Sequence, residues 1–321
     1  MLGKYKIALM VVGAIAGLLL AIEAPRAGQN RRNAALDWGL LTMRSHAQNF
    51  KDRLVTNFAR FDAPPKYTMF FYPLGGDFPK PWIAASAELG ATTIVSLELY
   101  EWGPGKKSSY LPAILAGDYD GSFRKWAEGA KAYGGRVLLR FGYEFNGNWF
   151  SWSLDPPAFV AAWRRVHDIF SAVGANNVEW VWAPNFESCP NTPENDMHLY
   201  YPGDKFVDWV AVDGYNFGDH HDEWHQWVSF DEVFDKVLTS LTNRYPDKPM
   251  MLAEFGSAVG EPGQRAVWIR DAYASLQRRP QVKAVIWFDL DKRREGEPDW
   301  RIGATADSLE AFNQTFAAKR P

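Results

Sequence analysis

The sequence has 321 residues, of which 47% are hydrophobic, and its formal net charge is -3. This composition is typical of a globular chain and argues against general disorder. The small net charge gives no support for a nucleic-acid partner, because phosphate binding needs concentrated Lys and Arg. A single cysteine, Cys189, excludes an intramolecular disulfide and a cysteine-rich metal site.

The first 35 residues have the layout of an export signal. Lys4 and Lys6 precede an apolar run from Ile7 to Ile22, as in the charged and hydrophobic regions of a signal peptide. The run is shorter than the roughly 20 residues that span a bilayer comfortably. A cleaved signal peptide and a retained membrane anchor both fit this segment. In either case we expect the rest of the chain to lie in the periplasm or outside the cell, with a membrane tether in the second case.

After residue 36, short apolar runs alternate with longer helical patterns. Asp120 is predicted to cap a helix that ends at Gly134. Ser229 and Glu232 have the spacing of a capping box at the start of another helix. Eight runs are predicted as strands: Trp38–Thr42, Thr68–Tyr72, Thr93–Leu99, Arg136–Phe141, Val178–Ala183, Val207–Asp213, Pro249–Glu254 and Val282–Phe288.

This alternation predicts the fold class. Strands that alternate with helices form parallel βαβ units. Eight such units, with no Gly-x-Gly-x-x-Gly motif after the first strand, favour a closed (β/α)8 TIM barrel over an open dinucleotide-binding sheet. Because no linker or low-complexity stretch interrupts the chain, we expect residues 36–321 to form one α/β domain.

Two glutamates stand where apolar strands open into loops. Glu144 follows the fourth predicted strand and Glu254 ends the seventh. In a (β/α)8 barrel the carboxyl ends of the strands form the active-site face, and strands four and seven lie on opposite sides of it. Cleavage of a glycosidic bond needs two such carboxyls, one as proton donor and one as nucleophile or base. A separation of about 5–5.5 Å would make the reaction retaining.

The residues around Glu144 resemble a family signature. The segment from Arg140 to Trp152 is similar to the pattern Arg-x-x-His-Glu-x-Asn-Gly-x-Trp of glycoside hydrolase family 26, and similar segments follow at 180–185, 201–216, 248–256 and 286–288. This family contains β-mannanases, mixed-linkage β-glucanases and β-1,3-xylanases. The resemblance implies a retaining endo-β-glycanase, with mannan as the leading substrate. We expect a monomer that binds a polysaccharide and uses neither a metal nor a cofactor.

The resemblance also implies roles for individual residues. Glu144 matches the acid/base and Glu254 the nucleophile. Tyr215 matches a tyrosine that donates a hydrogen bond to the nucleophile, and Trp149 matches a tryptophan beside the sugar at the scissile bond. The further predicted substrate-binding residues are Arg140, Tyr143, Glu98, Trp182 and Trp287, the last as an aromatic platform on strand eight.

One position departs from the family pattern. Tyr143 stands where the family has histidine before the acid/base, which leaves the identity of the sugar open and predicts a preference other than plain β-1,4-mannan. Mixed-linkage β-glucan and a bacterial exopolysaccharide are the alternative substrates. The alternative from another functional class is a barrel that binds a polysaccharide without cleaving it. We disfavour it because a degenerate enzyme would be expected to lose a catalytic glutamate.

A histidine-containing segment, residues 219–225, suggests a metal site at first inspection. His221 and His225 have the i, i+4 spacing of two ligands on one helix face, but no other metal-site feature accompanies them. We interpret the segment as a polar loop at the edge of the active site.

Overall fold

Eight parallel strands close into a barrel in which each strand pairs with the next and β8 pairs with β1. The computed structural model describes residues 36–43, 47–102, 109–220 and 226–319. The predicted export segment lies outside this part of the chain. The strands are β1 (Asp37–Leu41), β2 (Tyr67–Pro73), β3 (Thr92–Glu98), β4 (Val137–Phe141), β5 (Val178–Trp182), β6 (Trp209–Asn216), β7 (Met250–Ser257) and β8 (Val282–Trp287).

Helices follow the strands on the outside of the barrel. They are α1 (Ala47–Phe58), α2 (Lys80–Glu88), α3 (Leu111–Ala116), α4 (Asp120–Tyr133), α5 (Pro156–Val173), α6 (Phe230–Arg244), α7 (Gln264–Gln277) and α8 (Ala306–Gln314). The predicted (β/α)8 barrel is therefore confirmed. Within the described ranges, no helix is both long enough and apolar enough to cross a membrane.

All eight predicted strands are present, but β6 and β7 continue further than the sequence indicated. Parallel pairing between them runs on to Asn216 and Ser257. Tyr215 therefore lies inside a paired strand and not in a loop, and Asp213 and Glu254, predicted as the last residues of their strands, lie within them. Strand hydrogen bonding fixes their backbone at the mouth of the barrel, the edge where the strands end.

Helix ends agree with the predicted capping signals at two of three positions. The hydroxyl of Ser229 accepts a hydrogen bond from the Glu232 backbone, and the Glu232 carboxylate accepts one from the Ser229 backbone. Gly134 ends α4 with a φ of 74°. The prediction for Asp120 was wrong, because α4 begins at this residue and its carboxylate pairs with Arg165 on α5.

Side chains on the strands alternate between the inside of the barrel and the helical layer. On β4, Arg140 points inward and contacts Glu254 on the opposite strand, whereas Phe141 packs against Trp163 of α5. This alternation is the normal period of a β-strand. It decides which aromatic residues of the sequence can face a ligand at the mouth and which belong to the layer between strands and helices.

Gly39 on β1 packs closely against the neighbouring strands β2 and β8. A Cβ atom there would lie 2.6 Å from the Tyr67 carbonyl oxygen and 2.7 Å from Ile286 Cδ1. We expect Gly39→Ala to lower the free energy of unfolding by about 1–3 kcal/mol, the usual cost of overpacking. Urea denaturation followed by tryptophan fluorescence measures this change.

Gly121→Ala is the matched control. Nothing lies within 4 Å of a Cβ at this position, which belongs to α4. Because glycine is less favourable than alanine inside a helix by about 0.5–1 kcal/mol, this variant should be neutral or slightly more stable. Equal stability of the two variants would contradict the close-packing argument.

Candidate active site

Arg140 lies at the centre of the barrel mouth and has no exposed surface. One of its guanidinium nitrogens donates to Oε1 of Glu254 and also to Oγ of Ser96 at 3.1 Å. The other donates to Oδ2 of Asp213. The ring of Tyr143 covers the guanidinium, with 4.2 Å between the carbon of the guanidinium and the ring centroid. One cation from β4 thus joins carboxylates from β6 and β7.

The buried charges of this cluster depend on each other. Burial alone would lower the pKa of Arg140, but the neighbouring carboxylates of Asp213 and Glu254 outweigh it and raise that pKa. Burial raises the pKa of Asp213 well above its usual range, although Arg140 opposes the shift. The arginine therefore stays charged and is the counter-ion of both carboxyls. Because it is fully buried, it acts on Glu254 and not on substrate, so its predicted substrate contact is wrong.

Both carboxylate oxygens of Glu254 accept hydrogen bonds. Arg140 donates to one, and the hydroxyl of Tyr215 donates to the other. Donors of this kind favour an ionised carboxylate, which is the form that a nucleophile needs. Burial, and then the charge of Glu254, raise the pKa of Tyr215 well above its usual value. The tyrosine hydroxyl therefore keeps its proton and remains a donor, as the family resemblance implied.

Glu144 is in a different environment at the end of β4. Its φ of 48° is rare outside glycine. Its backbone N–H donates to the Ala183 carbonyl at 2.8 Å, and its own carbonyl accepts from Gly147 at 2.9 Å. These two bonds hold the unusual backbone, a feature that often marks functional positions. The indole N–H of Trp149 donates to the Glu144 carboxyl at 2.7 Å.

The carboxyl of Glu144 is set up to hold a proton. Burial, and then the charge of nearby Glu254, raise the pKa of Glu144 to about 7. A carboxyl with this pKa is substantially protonated near neutrality and can act as a general acid. The two glutamates at one barrel mouth therefore have different surroundings: Glu254 accepts hydrogen bonds on both oxygens, and Glu144 has a raised pKa.

Tyr143, the residue that departs from the family pattern, binds a third glutamate. Its hydroxyl donates to Oε1 of the buried Glu98 at 3.1 Å. Glu98 also accepts from the Tyr100 hydroxyl at 2.9 Å and from the indole of Trp102. The predicted sugar contact of Glu98 stays a prediction. The structure shows that this carboxylate, at the end of β3, accepts hydrogen bonds from three aromatic side chains.

Two residues predicted to contact the substrate lie in the layer between the strands and the helices. Trp182 and Trp287 have no exposed surface. The Trp287 ring packs against Trp268 of α7, and its N–H donates to the Trp300 carbonyl at 2.7 Å. Trp182 packs against Tyr245 at the end of α6. Both side chains point from their strands towards the helices, so a sugar cannot reach them and these predictions were wrong.

Other aromatic residues are better placed. Trp149 is 47% exposed beside Glu144, and its predicted contact with the sugar stays a prediction. Trp102 is 48% exposed at the end of β3. Trp300, in contrast, is 1% exposed; its ring packs 4.9 Å from that of Tyr215 and presents no face to a sugar. Neither Trp102 nor Trp300 was predicted, because both lie in loops where no periodic pattern shows the direction of a side chain.

His221 and His225 lie outside the described residues. Within the ranges that the structure describes, no group of three or more His, Cys, Asp and Glu side chains is arranged to hold a metal ion.

Comparison with known proteins decides the family. Residues 122–260 match the family model described as glycosyl hydrolase family 26. Endoglucanase H of Acetivibrio thermocellus is 35% identical over 233 residues, which are 70% of this chain and 24% of that protein. The chain belongs to glycosyl hydrolase family 26.

Further proteins are similar over smaller parts of the chain or in fold. The mannan endo-1,4-beta-mannosidase A and B of Caldalkalibacillus mannanilyticus is 30% identical over 110 residues, or 30% of this chain and 20% of that protein. The GH26 beta-mannanase of Bacteroides ovatus shares the fold, with a TM-score of 0.63, 18% identity and 89% of each chain covered. The chain spans a quarter or less of the length of the curated relatives that it matches.

The buried charge cluster leads to a stability prediction. We expect Arg140→Met to lower the free energy of unfolding by about 3–5 kcal/mol, because Asp213 and Glu254 lose their shared counter-ion. The loss should shrink as the pH falls, since protonated carboxyls no longer need the cation. Urea denaturation at several pH values measures both effects.

Arg136→Met is the control for this prediction. Arg136 pairs with Glu179 at 2.6 Å, and both side chains are partly exposed. Ion pairs of this kind contribute about 0–1 kcal/mol. A loss for Arg140→Met as small as that of the control, or one that does not depend on pH, would contradict the proposed charge balance.

Proposed function

We propose that this protein is a retaining endo-β-glycanase in which Glu254 is the nucleophile and Glu144 is the acid/base. The observation that carries the proposal is the contrast between the two carboxyls. Glu254 accepts hydrogen bonds from Arg140 and Tyr215, whereas burial and the nearby charge of Glu254 raise the pKa of Glu144 to about 7. A carboxyl with a raised pKa that faces a second carboxyl held by hydrogen-bond donors is typical of an acid and nucleophile pair.

The reaction proceeds in two steps. Glu254 attacks the anomeric carbon and forms a covalent glycosyl ester, while the bond to the leaving oxygen breaks and Glu144 gives its proton to that oxygen. Glu144, now ionised, then takes a proton from water. The water oxygen attacks the anomeric carbon, the ester bond to Glu254 breaks, and configuration is retained.

The charge of the barrel mouth supports a neutral polymer as substrate. Glu98, Asp213 and Glu254 are buried carboxyls there, and Arg140 is the cation that contacts two of them. An acidic polysaccharide would add negative charge next to these groups, at a cost that grows in a low-dielectric site. We therefore propose that the substrate is a neutral β-mannan or β-glucan and not an acidic exopolysaccharide.

The names of the relatives are compatible with both neutral polymers, β-glucan and β-mannan. One is an endoglucanase that aligns with 70% of this chain, and another is a mannan endo-1,4-beta-mannosidase that aligns with 30%. We propose that Tyr143 contributes to the choice, because its hydroxyl is committed to Glu98 and its ring covers Arg140.

We also propose that the enzyme works outside the cytoplasm. The support is the sequence of its first 35 residues, in which two lysines precede an apolar run. Fractionation of cells that express the full chain, with detection in membrane and soluble extracytoplasmic fractions, tests the location and distinguishes a tethered from a released form.

The activity itself is tested with the purified protein on mannans, mixed-linkage β-glucans, xylans and acidic exopolysaccharides. We expect hydrolysis of at least one neutral β-glycan and loss of that hydrolysis in Glu254→Ala. Binding of a polysaccharide without hydrolysis of any would instead support a non-catalytic binding barrel.

The division of labour between the glutamates is a separate prediction. Glu144→Ala should lose about 10²–10⁴-fold in rate on natural glycans, the usual range for general acid catalysis. Its rate should fall far less in the first step with an activated aryl glycoside, in which the sugar is transferred to the enzyme. The leaving group of such a substrate needs little protonation. Glu254→Ala should be inactive on both substrates until azide is added, and the glycosyl azide should then have inverted configuration.

Initial rates and NMR of the azide products measure these effects. Glu187→Ala is a control, because this exposed glutamate follows β5 without contact to either catalytic carboxyl in the described structure. Equal losses for both active-site variants on both substrates, without azide rescue, would contradict the assigned roles.

Tyr143 gives the prediction on specificity. We expect Tyr143→His to raise kcat/KM on β-1,4-mannan and to lower it on the best native substrate, because histidine loses the reach to Glu98 and can donate and accept through its ring. Tyr143→Phe, which removes only the hydroxyl, separates the hydrogen bond from the ring. Efficient mannan hydrolysis by the parent that neither variant changes would show that Tyr143 does not set specificity.

A further inference from the structure

Arg265 is buried, like Arg140, and lies beside the end of β7. It belongs to α7 and is 1% exposed. Its Nε donates to Oγ of Ser308 on α8 at 3.1 Å. One terminal nitrogen donates to the carbonyl of Ser257, the last residue of β7, at 3.2 Å, and to the carbonyl of Asp299 in the loop after β8 at 3.1 Å. A single guanidinium thus joins the end of β7 to that loop.

The burial of this cation is not explained by its partners. Burial lowers the pKa of Arg265 to about 10, although the charges of nearby aspartates oppose the shift, so the side chain stays charged near neutrality. The carboxylate of Asp299 pairs with Arg301. In the described part of the chain, Nη2 of Arg265 has no hydrogen-bond partner. Because a buried ion is weak evidence for stability, we look for its role in the two carbonyls that it joins.

The bond from Arg265 to the loop fixes the residue that precedes Trp300. The backbone N–H of Trp300 donates to the Leu290 carbonyl at 2.9 Å. The carbonyl of Trp300 accepts from the indole of Trp287 at 2.7 Å. The backbone on both sides of the Trp300 side chain is therefore held, by β8 and its loop on one hand and by α7 on the other.

The ring of Trp300 packs on the tyrosine that donates to Glu254. The ring centroids of Trp300 and Tyr215 are 4.9 Å apart. Gly256 of β7 pairs with Tyr215 and leaves room for both rings, because a Cβ atom there would lie 3.3 Å from Cε3 of Trp300 and 3.5 Å from Cδ1 of Tyr215. From this packed position the Tyr215 hydroxyl donates to Glu254. Each step from Arg265 to Glu254 is therefore a direct contact or a peptide bond.

We propose that Arg265 is a positioning residue that fixes the loop after β8, so that Trp300 holds the Tyr215 hydroxyl on Glu254. This inference rests on the proposed role of Glu254 as the nucleophile. Hydrogen bonds weaken steeply when their angle departs from linearity, so a small shift of the tyrosine ring would weaken the bond to the carboxylate. A functional side chain keeps its geometry only when packing and hydrogen bonds behind it lock its rotamer. Arg265 is buried and acts from behind the site, without touching substrate.

The test uses Arg265→Met in the full chain, which removes every donor of the side chain. Ser308→Ala is the matched control, because it removes the acceptor of Nε on α8 and leaves the bonds to both carbonyls in place. Arg265→Lys keeps a charge but lacks the planar fork of donors, and it takes the place of Arg265→Met if that variant does not fold. Carbon-13 NMR of tyrosines labelled at Cζ, with Tyr215→Phe to assign the signal, follows the hydrogen bond of the Tyr215 hydroxyl directly.

We expect the Tyr215 signal to move in Arg265→Met and to keep its parent position in Ser308→Ala. On the best β-glycan, kcat/KM of Arg265→Met should fall by up to about 10²-fold, the cost of misplacing a group by about 1 Å. In the Tyr215→Phe background the same substitution should cause little further loss, because the hydroxyl that it positions is absent. A purely structural role would give losses that add between the two substitutions.

An unmoved Tyr215 signal in the Arg265 variant, an equal shift in Ser308→Ala, or additive losses in the two backgrounds would overturn the inference. The NMR measurement does not depend on turnover. If the parent hydrolyses no β-glycan, the proposed function fails, while the NMR signal still decides whether Arg265 positions Tyr215.

Discussion

The active site depends on the buried guanidinium of Arg140. Two carboxyls from neighbouring strands, Asp213 and Glu254, point into the barrel and would repel each other without it. An ion this deeply buried is stable only when it is paired and hydrogen-bonded. Ser96 accepts a further hydrogen bond from the cation and the ring of Tyr143 covers it, whereas Nε of Arg140 and Oδ1 of Asp213 have no hydrogen-bond partner in the described part of the chain. Because arginine offers a planar fork of donors, it can hold both acids at once in fixed geometry.

The two glutamates differ in their surroundings, although both lie at the mouth of the barrel. Glu254 belongs to a paired strand and accepts hydrogen bonds on both oxygens, so its position is fixed before substrate arrives. Glu144 lies just past its strand, in a turn with positive φ, and its carboxyl receives the indole N–H of Trp149. In the proposed mechanism Glu144 gains and loses a proton in each cycle, and it lies where the backbone leaves the sheet.

Much of the fold and the central chemistry could be predicted from the sequence. The alternation of apolar runs and helical patterns is a local signal, so eight strands and the Ser229 cap were found. Glu144 was recognisable because a motif surrounds it. Trp182 and Trp287 were misplaced because composition shows that a residue is aromatic, while only the strand register shows which layer it faces.

Contacts made by loops could not be predicted in the same way. Trp300 follows β8 by more than ten residues, yet its ring packs on Tyr215 and its N–H holds Glu297. Nothing in the spacing of these residues indicates that the loop folds back to the mouth. The carboxyls of this site come from several strands, and burial together with the charge of Glu254 raises the pKa of both Glu144 and Asp213. The site is therefore a property of the closed barrel, because Glu144 and Glu254 come from opposite strands that are 110 residues apart in the sequence.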